Sequence, residues 1–223
     1  MGTLRFAQPT STYEPGTCPT TETVTVGWAK RKRAQQPKAN QRQTMRYRRN
    51  ITNGGCYFFT LVTERRQSLL TLPGNMERLR EAFRRERQRH PFTLDAVVVL
   101  PEHLHILMTL PEGDSDYAGR LLRIKRYFSA GCTGVTIPLS PSRERKRECP
   151  VWQRRFWEHL IRDDDDWRRH MDYIHYNPVK HGLAASPWAW PHSSLLRCAE
   201  RGWYEPGWGE VAPAGLMGAV AGE

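Results

Sequence analysis

The sequence predicts an α+β domain of the ferredoxin-like, split βαβ type: a four-stranded antiparallel sheet with helices on one face, plus a C-terminal helix. Three observations lead there. Four short apolar runs, CYFFTLV, FTLDAVVVL, HLHILMTL and FWEHLI, are rich in β-branched and aromatic residues, as strands are. Three other stretches carry apolar residues at helical spacing. Laid along the chain, the order reads β-α-β-β-α-β-α.

The first strand, 56–62, follows the turn signal Asn53-Gly54-Gly55. Residues 75–90 place Met76, Leu79 and Phe83 on one stripe, with Asn75 expected as N-cap and Pro91 as stop. The strands 92–100 and 103–110 are joined by Pro101-Glu102, a link short enough for a hairpin. Residues 116–132 set Leu121, Ile124 and Phe128 on one stripe and end at Gly131. A Pro, Ser and Arg-rich loop is expected over 134–150, then a strand at 156–161. The last helix, 164–182, opens on the acidic run Asp163–Asp166, which the positive end of the helix dipole favours without any metal.

Composition narrows the function. Of 223 residues, 39% are apolar and 10% aromatic, enough for a packed core. The 34 Lys and Arg outnumber 23 acids for a net charge of +11, and the arginines cluster among aromatics, which favours a polyanion partner. No uncharged apolar run approaches the ~20 residues of a membrane span. The N-terminus has no signal-peptide core, and its Met-Gly start lacks the Ser or Thr of a myristoylation site, having Phe6 there. Cys18, Cys56, Cys132, Cys149 and Cys198 show no C-x-x-C spacing, so they read as reduced thiols of a cytoplasmic protein. Residues 1–44, with the basic knot at 30–33, read as a flexible basic extension; translation is expected to begin at Met45. The folded domain is expected over 45–210, with a flexible tail at 211–223. Trp188, Trp190 and Trp203 are expected to close the core.

The chemistry centres on His103-Leu104-His105. Residues two apart on a strand face the same way, so a central strand presents two imidazoles side by side. An H-x-H alone is also what core histidines show. The last helix offers Tyr173 and, one turn on, Asn177, which share a face that can sit over the sheet. Tyr176 is a second phenol, but at about 100° per residue it lies farther than Tyr173 from the Asn177 direction. Asn177 also precedes Pro178, which disfavours helical geometry at 177. His175 and His181 are expected at the surface or against DNA. A third alternating histidine is missing, which argues against H-x-H-x-H nucleotide hydrolases.

PEHLHILMTLPEGDSDY, followed by VWQRRFWEH and MDYIHYNPVKHG, resembles the REP-associated tyrosine transposases, a branch of the HUH single-strand transposase superfamily. The resemblance covers about residues 46–208. It implies a ferredoxin-like palm; a divalent metal, Mg²⁺ or Mn²⁺, held by His103, His105 and Asn177; and Tyr173 as nucleophile. It also implies single-stranded DNA as partner, folded as REP hairpins, and a monomer acting in cis or a dimer. The activity implied is cleavage and rejoining through a 5′-phosphotyrosine, with Tyr176 as alternative nucleophile. Arg46, Tyr47, Arg48 and Arg49 are expected to grip DNA beside the hairpin, with Arg123, Lys125, Arg126, Arg154 and Arg155 extending the basic track. Two other readings stand beside it: a catalytically silent module that binds structured single strands, and an unrelated zinc hydrolase, which needs a stronger third ligand.

Overall fold

The computed structural model describes residues 52–138, 140–145 and 150–213. The elements run β1 (Cys56–Val62), α1 (Pro73–Arg89), β2 (Thr93–Val99), β3 (His103–Thr109), α2 (Tyr117–Ser129), α3 (Pro141–Arg145), β4 (Trp157–Leu160), α4 (Asp164–Lys180) and α5 (Leu195–Ala199). All strand pairs are antiparallel and the order is β2-β3-β1-β4, so the expected split βαβ sheet is present.

Side-chain alternation along β1 and β3 makes two distinct faces. Tyr57, Phe59, Leu61, Leu104, Ile106 and Met108 join one apolar cluster beneath α1 and α2, which contribute Leu79, Leu121, Ile124 and Phe128. The residues between them, Phe58 on β1 and Leu107 on β3, join a second cluster under α4 and α5. Thr60↔His105 and Val62↔His103 are register pairs, so both histidines belong to this second face. The β2–β3 hairpin turns through Pro101 and Glu102, closed by Leu100 N–H donating to the His103 carbonyl at 2.8 Å.

Three local expectations are corrected. The N-cap of α1 is Leu72 with Pro73 as first helical residue. Asn75 is buried inside the first turn, where its amide donates to the Leu69 and Thr133 carbonyls and ties two loops. Proline at the first helical position needs no N–H partner, which is why the start moves back. The 134–150 loop contains α3, whose Arg143 pairs with Glu64 and so gains a reason to order. The C-terminal stretch is a strap: Val99 N–H donates to the His192 carbonyl, Ser194 N–H to the Val97 carbonyl, and Trp190 Nε1–H to the Val99 carbonyl. It covers the otherwise open edge of β2. Trp188 and Trp190 pack on the second cluster as expected, whereas Trp203 stays 43% exposed.

α4 is capped by Asp163, whose carboxylate accepts from Asp166 N–H at 2.7 Å. It runs through Pro178, and His181 N–H still donates to the Asn177 carbonyl at 3.0 Å. Among the described residues no helix is long and apolar enough to cross a membrane. Cys56, Cys132 and Cys198 are free thiols.

Candidate active site

His103 and His105 stand on the α4 side of β3, with ring centroids 4.8 Å apart and planes at 80°. Tyr173 comes down from α4 so that its ring lies 5.2 Å from that of His105 within the same chain. Asn177 follows one turn later on the same helix. These four residues are each 2% exposed or less, although three of them are polar heterocycles or amides and one is a phenol. Placing so many polar groups in a core is costly unless they are partnered, which marks the place as something other than packing.

The partners are on neighbouring elements. His103 Nδ1 lies 3.1 Å from Glu102 Oε1, and His105 Nδ1 lies 3.0 Å from Thr60 Oγ1. Glu102 comes from the hairpin turn and Thr60 from the facing position on β1, so the turn orients the His103 ring and the sheet register the His105 ring. Phe58 stacks on His105 at 5.3 Å and meets Tyr173 edge-on at 5.9 Å, holding both aromatic planes. Lys180 donates from Nζ to the Tyr173 phenol oxygen at 3.2 Å and lies 4.8 Å above that ring. His181 approaches His103 with ring centroids 5.2 Å apart.

The stripe on α4 has a simple origin. His170, Tyr173, Asn177 and Lys180 are spaced three, four and three residues apart, which keeps them on one side of an α-helix. Tyr176 points elsewhere, meeting Trp208 edge-on at 6.5 Å. His175 is corrected from a surface position to a fully buried one. Its Nδ1 lies 3.0 Å from Tyr204 Oη and its Nε2 2.8 Å from Ser194 Oγ, while Tyr204 donates to Asp172 at 3.1 Å. Burial, with the charge of Arg197, pushes the His175 imidazole down to about 3, so it is neutral there. Burial and the Asp172 carboxylate push the Tyr204 phenol well up, so that oxygen stays protonated.

A second group of potential ligands, His159, Asp166 and His170, brings its ligand atoms within 4.8 Å of one another. The two rings are nearly parallel, 16° apart at 4.7 Å, so their in-plane lone pairs run side by side rather than converging. The arrangement is a hydrogen-bonded carboxylate: Asp166 accepts from His159 Nε2 at 2.7 Å and from Arg162 N–H at 3.1 Å. Burial alone pushes the Asp166 carboxyl up, but these bonds outweigh it and hold it down at about 2.

The expected DNA-contacting residues divide. Arg46, Tyr47, Arg48 and Arg49 lie outside the described residues. Arg123, Lys125 and Arg126 are on α2, across the sheet from the histidines. Arg123 already binds Glu86 at 2.9 Å and Asp116 at 3.2 Å. Lys125 donates to the Gln153 carbonyl at 2.8 Å, and burial, with Arg143 nearby, lowers its ammonium to about 8. Arg126 lines a groove of about 220 Å³ with Arg85, Arg89 and Tyr127. Arg154 and Arg155 are exposed just before β4. Sequence reasoning missed Thr60, Glu102 and Lys180. Glu102 precedes the first histidine directly, and Lys180 lies seven residues after Tyr173, within about 20° of it around the helix, so both were open to discovery.

No family model matches the chain. It is 42% identical over 163 residues to the REP-associated tyrosine transposase of Escherichia coli K12, covering 73% of this chain and 89% of that protein. A Haemophilus influenzae protein assigned to the same group is 43% identical over 164 residues, covering 73% of this chain and 92% of the relative. Among solved structures, a REP-associated tyrosine transposase bound to a REP hairpin superposes with a TM-score of 0.63 at 39% identity. That match covers 79% of this chain and 96% of the other. Identity at this level, over nearly the whole length of the relatives and on one fold, shows that the chain belongs to the REP-associated tyrosine transposase family.

Proposed function

We propose that the protein is a single-strand DNA endonuclease and transesterase acting on REP-type hairpins in the cytoplasm, with Tyr173 as nucleophile. The observation that carries this reading is the Tyr173 ring lying 5.2 Å from that of His105, which is 4.8 Å from His103, with Asn177 buried one turn farther along α4. The relatives' REP-associated name and the hairpin held by the superposed structure support the DNA partner.

The donor set fits a divalent cation. The carboxamide oxygen suits an ion of the Mg²⁺ or Mn²⁺ type, the two imidazoles equally serve a divalent transition metal, and no thiolate is present to select a softer one. Each histidine has its Nδ1 turned to a neighbour, Glu102 or Thr60, which is how a ligating imidazole is commonly oriented through its other nitrogen. His103, His105 and Asn177 would hold the ion, and the chemistry it supplies when bound is charge withdrawal from the scissile phosphate. The remaining work falls to the chain. Phe58 and the α4 backbone hold the Tyr173 oxygen in place for in-line attack. Phenol attack on phosphorus forms the tyrosyl ester and breaks the bond to the 3′ oxygen. The phenolic proton goes to solvent, and the departing 3′ oxygen takes one up. Because the ester conserves the bond energy, an incoming 3′-hydroxyl reverses the step and rejoins DNA. Tyr176 meets Trp208 edge-on at 6.5 Å, which supports Tyr173 over it as the nucleophile.

On this reading the DNA path uses Arg46, Tyr47, Arg48 and Arg49 with Arg154 and Arg155 on the β4 side. A labelled REP hairpin incubated with Mg²⁺ or Mn²⁺ yields a covalent protein adduct that survives denaturation. Its persistence undiminished in Tyr173→Phe refutes the nucleophile, and its absence from the wild type leaves the DNA-binding alternative.

A further inference from the structure

Tyr173 and the two histidines sit on different elements, α4 and β3, so their alignment depends on what fixes helix to sheet. A chain of hydrogen bonds through the strap makes that connection. On β2, Val97 N–H donates to Ser194 Oγ at 2.9 Å. Ser194 Oγ lies 2.8 Å from His175 Nε2, His175 Nδ1 lies 3.0 Å from Tyr204 Oη, and Tyr204 donates to Asp172 Oδ1 at 3.1 Å. Both ends of the chain reach the candidate site. Val98, the next residue on β2, is the register partner of His105 and also bridges Ser193 of the strap. Asp172 and His175 stand on either side of Tyr173 along α4.

Each link has one direction. A carboxylate only accepts, so the Tyr204 hydrogen goes to Asp172 and the phenol oxygen accepts from His175 Nδ1–H. A neutral imidazole with its hydrogen on Nδ1 keeps a lone pair on Nε2, which takes the Ser194 hydroxyl hydrogen. The serine oxygen is then left to accept from Val97 N–H. Ser194, His175 and Tyr204 are all buried, so a broken link is not readily replaced by bulk water.

A purely structural account has the strap covering the β2 edge, with the chain satisfying polar groups that burial would otherwise penalise. Apolar side chains would cover that edge as well, and they would not set the angle of α4. The attachment points do. At about 100° per residue, Asp172 and His175 lie about 60° apart on the side of the helix turned away from Tyr173, so the clasp resists rotation about the helix axis. A rotation of about 10° displaces a group roughly 8 Å from that axis by about 1.4 Å. Misplacement near 1 Å at the reacting atoms costs on the order of 100-fold in rate.

We propose that Ser194, His175 and Tyr204 are positioning residues, through which the strap sets the rotation of α4 and so the aim of the Tyr173 oxygen. This rests on the reading of Tyr173 as nucleophile. The three residues take no part in the bond changes and act through the helix alone.

The test is single-turnover adduct formation on a REP hairpin at saturating DNA, expressed per folded molecule and run well below the thermal midpoint of every variant, with hairpin affinity measured alongside. Tyr204→Phe keeps the ring against Trp208, 4.4 Å away, and removes the link to Asp172. Ser194→Ala removes the link to β2. Each is expected to lower the rate about 10-fold with affinity unchanged, and the double variant to fall no further, because one break already opens the chain. Ile106→Ala, destabilised from the other face of the sheet, is expected to keep the wild-type rate. Wild-type rates in both single variants, or losses that multiply in the double variant, overturn the clasp. So does a loss confined to affinity, or an equal loss in Ile106→Ala, which would trace the rate to stability alone. A wild-type chain that forms no adduct removes the nucleophile and this role with it. An adduct formed equally by the wild type and both single variants removes the clasp alone.

Discussion

The two faces of the sheet are built from the same strands and share almost nothing else. Beneath α1 and α2, the residues Tyr57, Phe59, Leu61, Leu104, Ile106 and Met108 form an apolar layer. One residue along, beneath α4, the strands present Phe58, Thr60, His103 and His105 to a helix carrying His170, Tyr173 and Asn177. Burying aliphatic groups stabilises the fold, while burying imidazoles and amides costs free energy unless each finds a partner. The first face supplies the stability that lets the second hold polar groups in fixed positions. The apolar layer and the candidate site are separated by a single step of strand alternation.

That contrast is broken most directly by neighbouring substitutions. His105→Ala is expected to abolish adduct formation at a cost in stability of about 1–3 kcal/mol, since it leaves the buried Thr60 hydroxyl without its imidazole partner. Ile106→Ala, its neighbour on the other face, is expected to cost about 2–5 kcal/mol of stability and leave the chemistry of folded molecules intact. Chemical denaturation and adduct assays on the two variants separate the roles. If His105→Ala unfolded the protein while adduct formation per folded molecule persisted, the histidines would be packing residues.

A second difference is response to acid. The α4 side contains His175, held neutral by burial with a pKa of about 3 against an ordinary 6.5. Below about pH 6.5 the unfolded chain takes up a proton that the native state refuses until about pH 3, so stability falls as pH falls across that window. The full effect is on the order of 4–5 kcal/mol. Denaturation midpoints followed from pH 7 to pH 4 should decline, and His175→Gln should flatten the decline at the cost of lower stability at pH 7. A slope unchanged by the substitution places the acid sensitivity elsewhere.

Much of this was legible in sequence because the relevant signals are periodic. Alternation gave the four strands, and the positions of His103 and His105 two apart on one of them announced a shared face. The spacing of Tyr173 and Asn177 showed the matching helix face. Less visible were groups whose role depends on contacts distant in the chain. Thr60 reaches His105 only through the β1–β3 register, 45 positions away, and no local pattern encodes that pairing. His175 looked like a spare imidazole because its partners, Ser194 and Tyr204, lie in a strap with no periodicity. Asn75 read as a cap because caps and buried loop ties use the same residue type, and only the fold distinguishes them.

Asp166 gives an intermediate effect at the outer end of the α4 face. It ties β4 to the start of α4 through His159 at 2.7 Å, with Arg162 also bound. Asp166→Asn removes the charge and is expected to cost about 1–3 kcal/mol near neutral pH. Since its carboxyl is held down at about 2, its contribution is present above the ordinary carboxylate range near 3.8 and is lost as pH falls through about 2. The variant's deficit should therefore shrink as the medium is acidified toward pH 2. A constant deficit would mean that side-chain shape rather than charge holds the β4 junction.

The smallest expected effect belongs to the α1–α2 face and tests whether its arginines are structural. Arg123 is 38% exposed and is held by Glu86 and Asp116. Glu86 keeps a second partner in His90, 3.0 Å away, so Arg123→Ala does not strand a buried carboxylate. Partly exposed ion pairs of this kind contribute at most about 1 kcal/mol. Being committed to two acids across the sheet from the histidines, Arg123 is expected to leave hairpin affinity and its salt dependence unchanged when replaced. Arg154→Ala, on the β4 side, is expected to weaken binding and flatten the salt dependence by about one phosphate contact. Measuring both variants by fluorescence anisotropy across a salt series decides between the two surfaces. Equal losses would show that DNA wraps both faces of the sheet, and a loss in Arg123→Ala alone would move the DNA path onto α2.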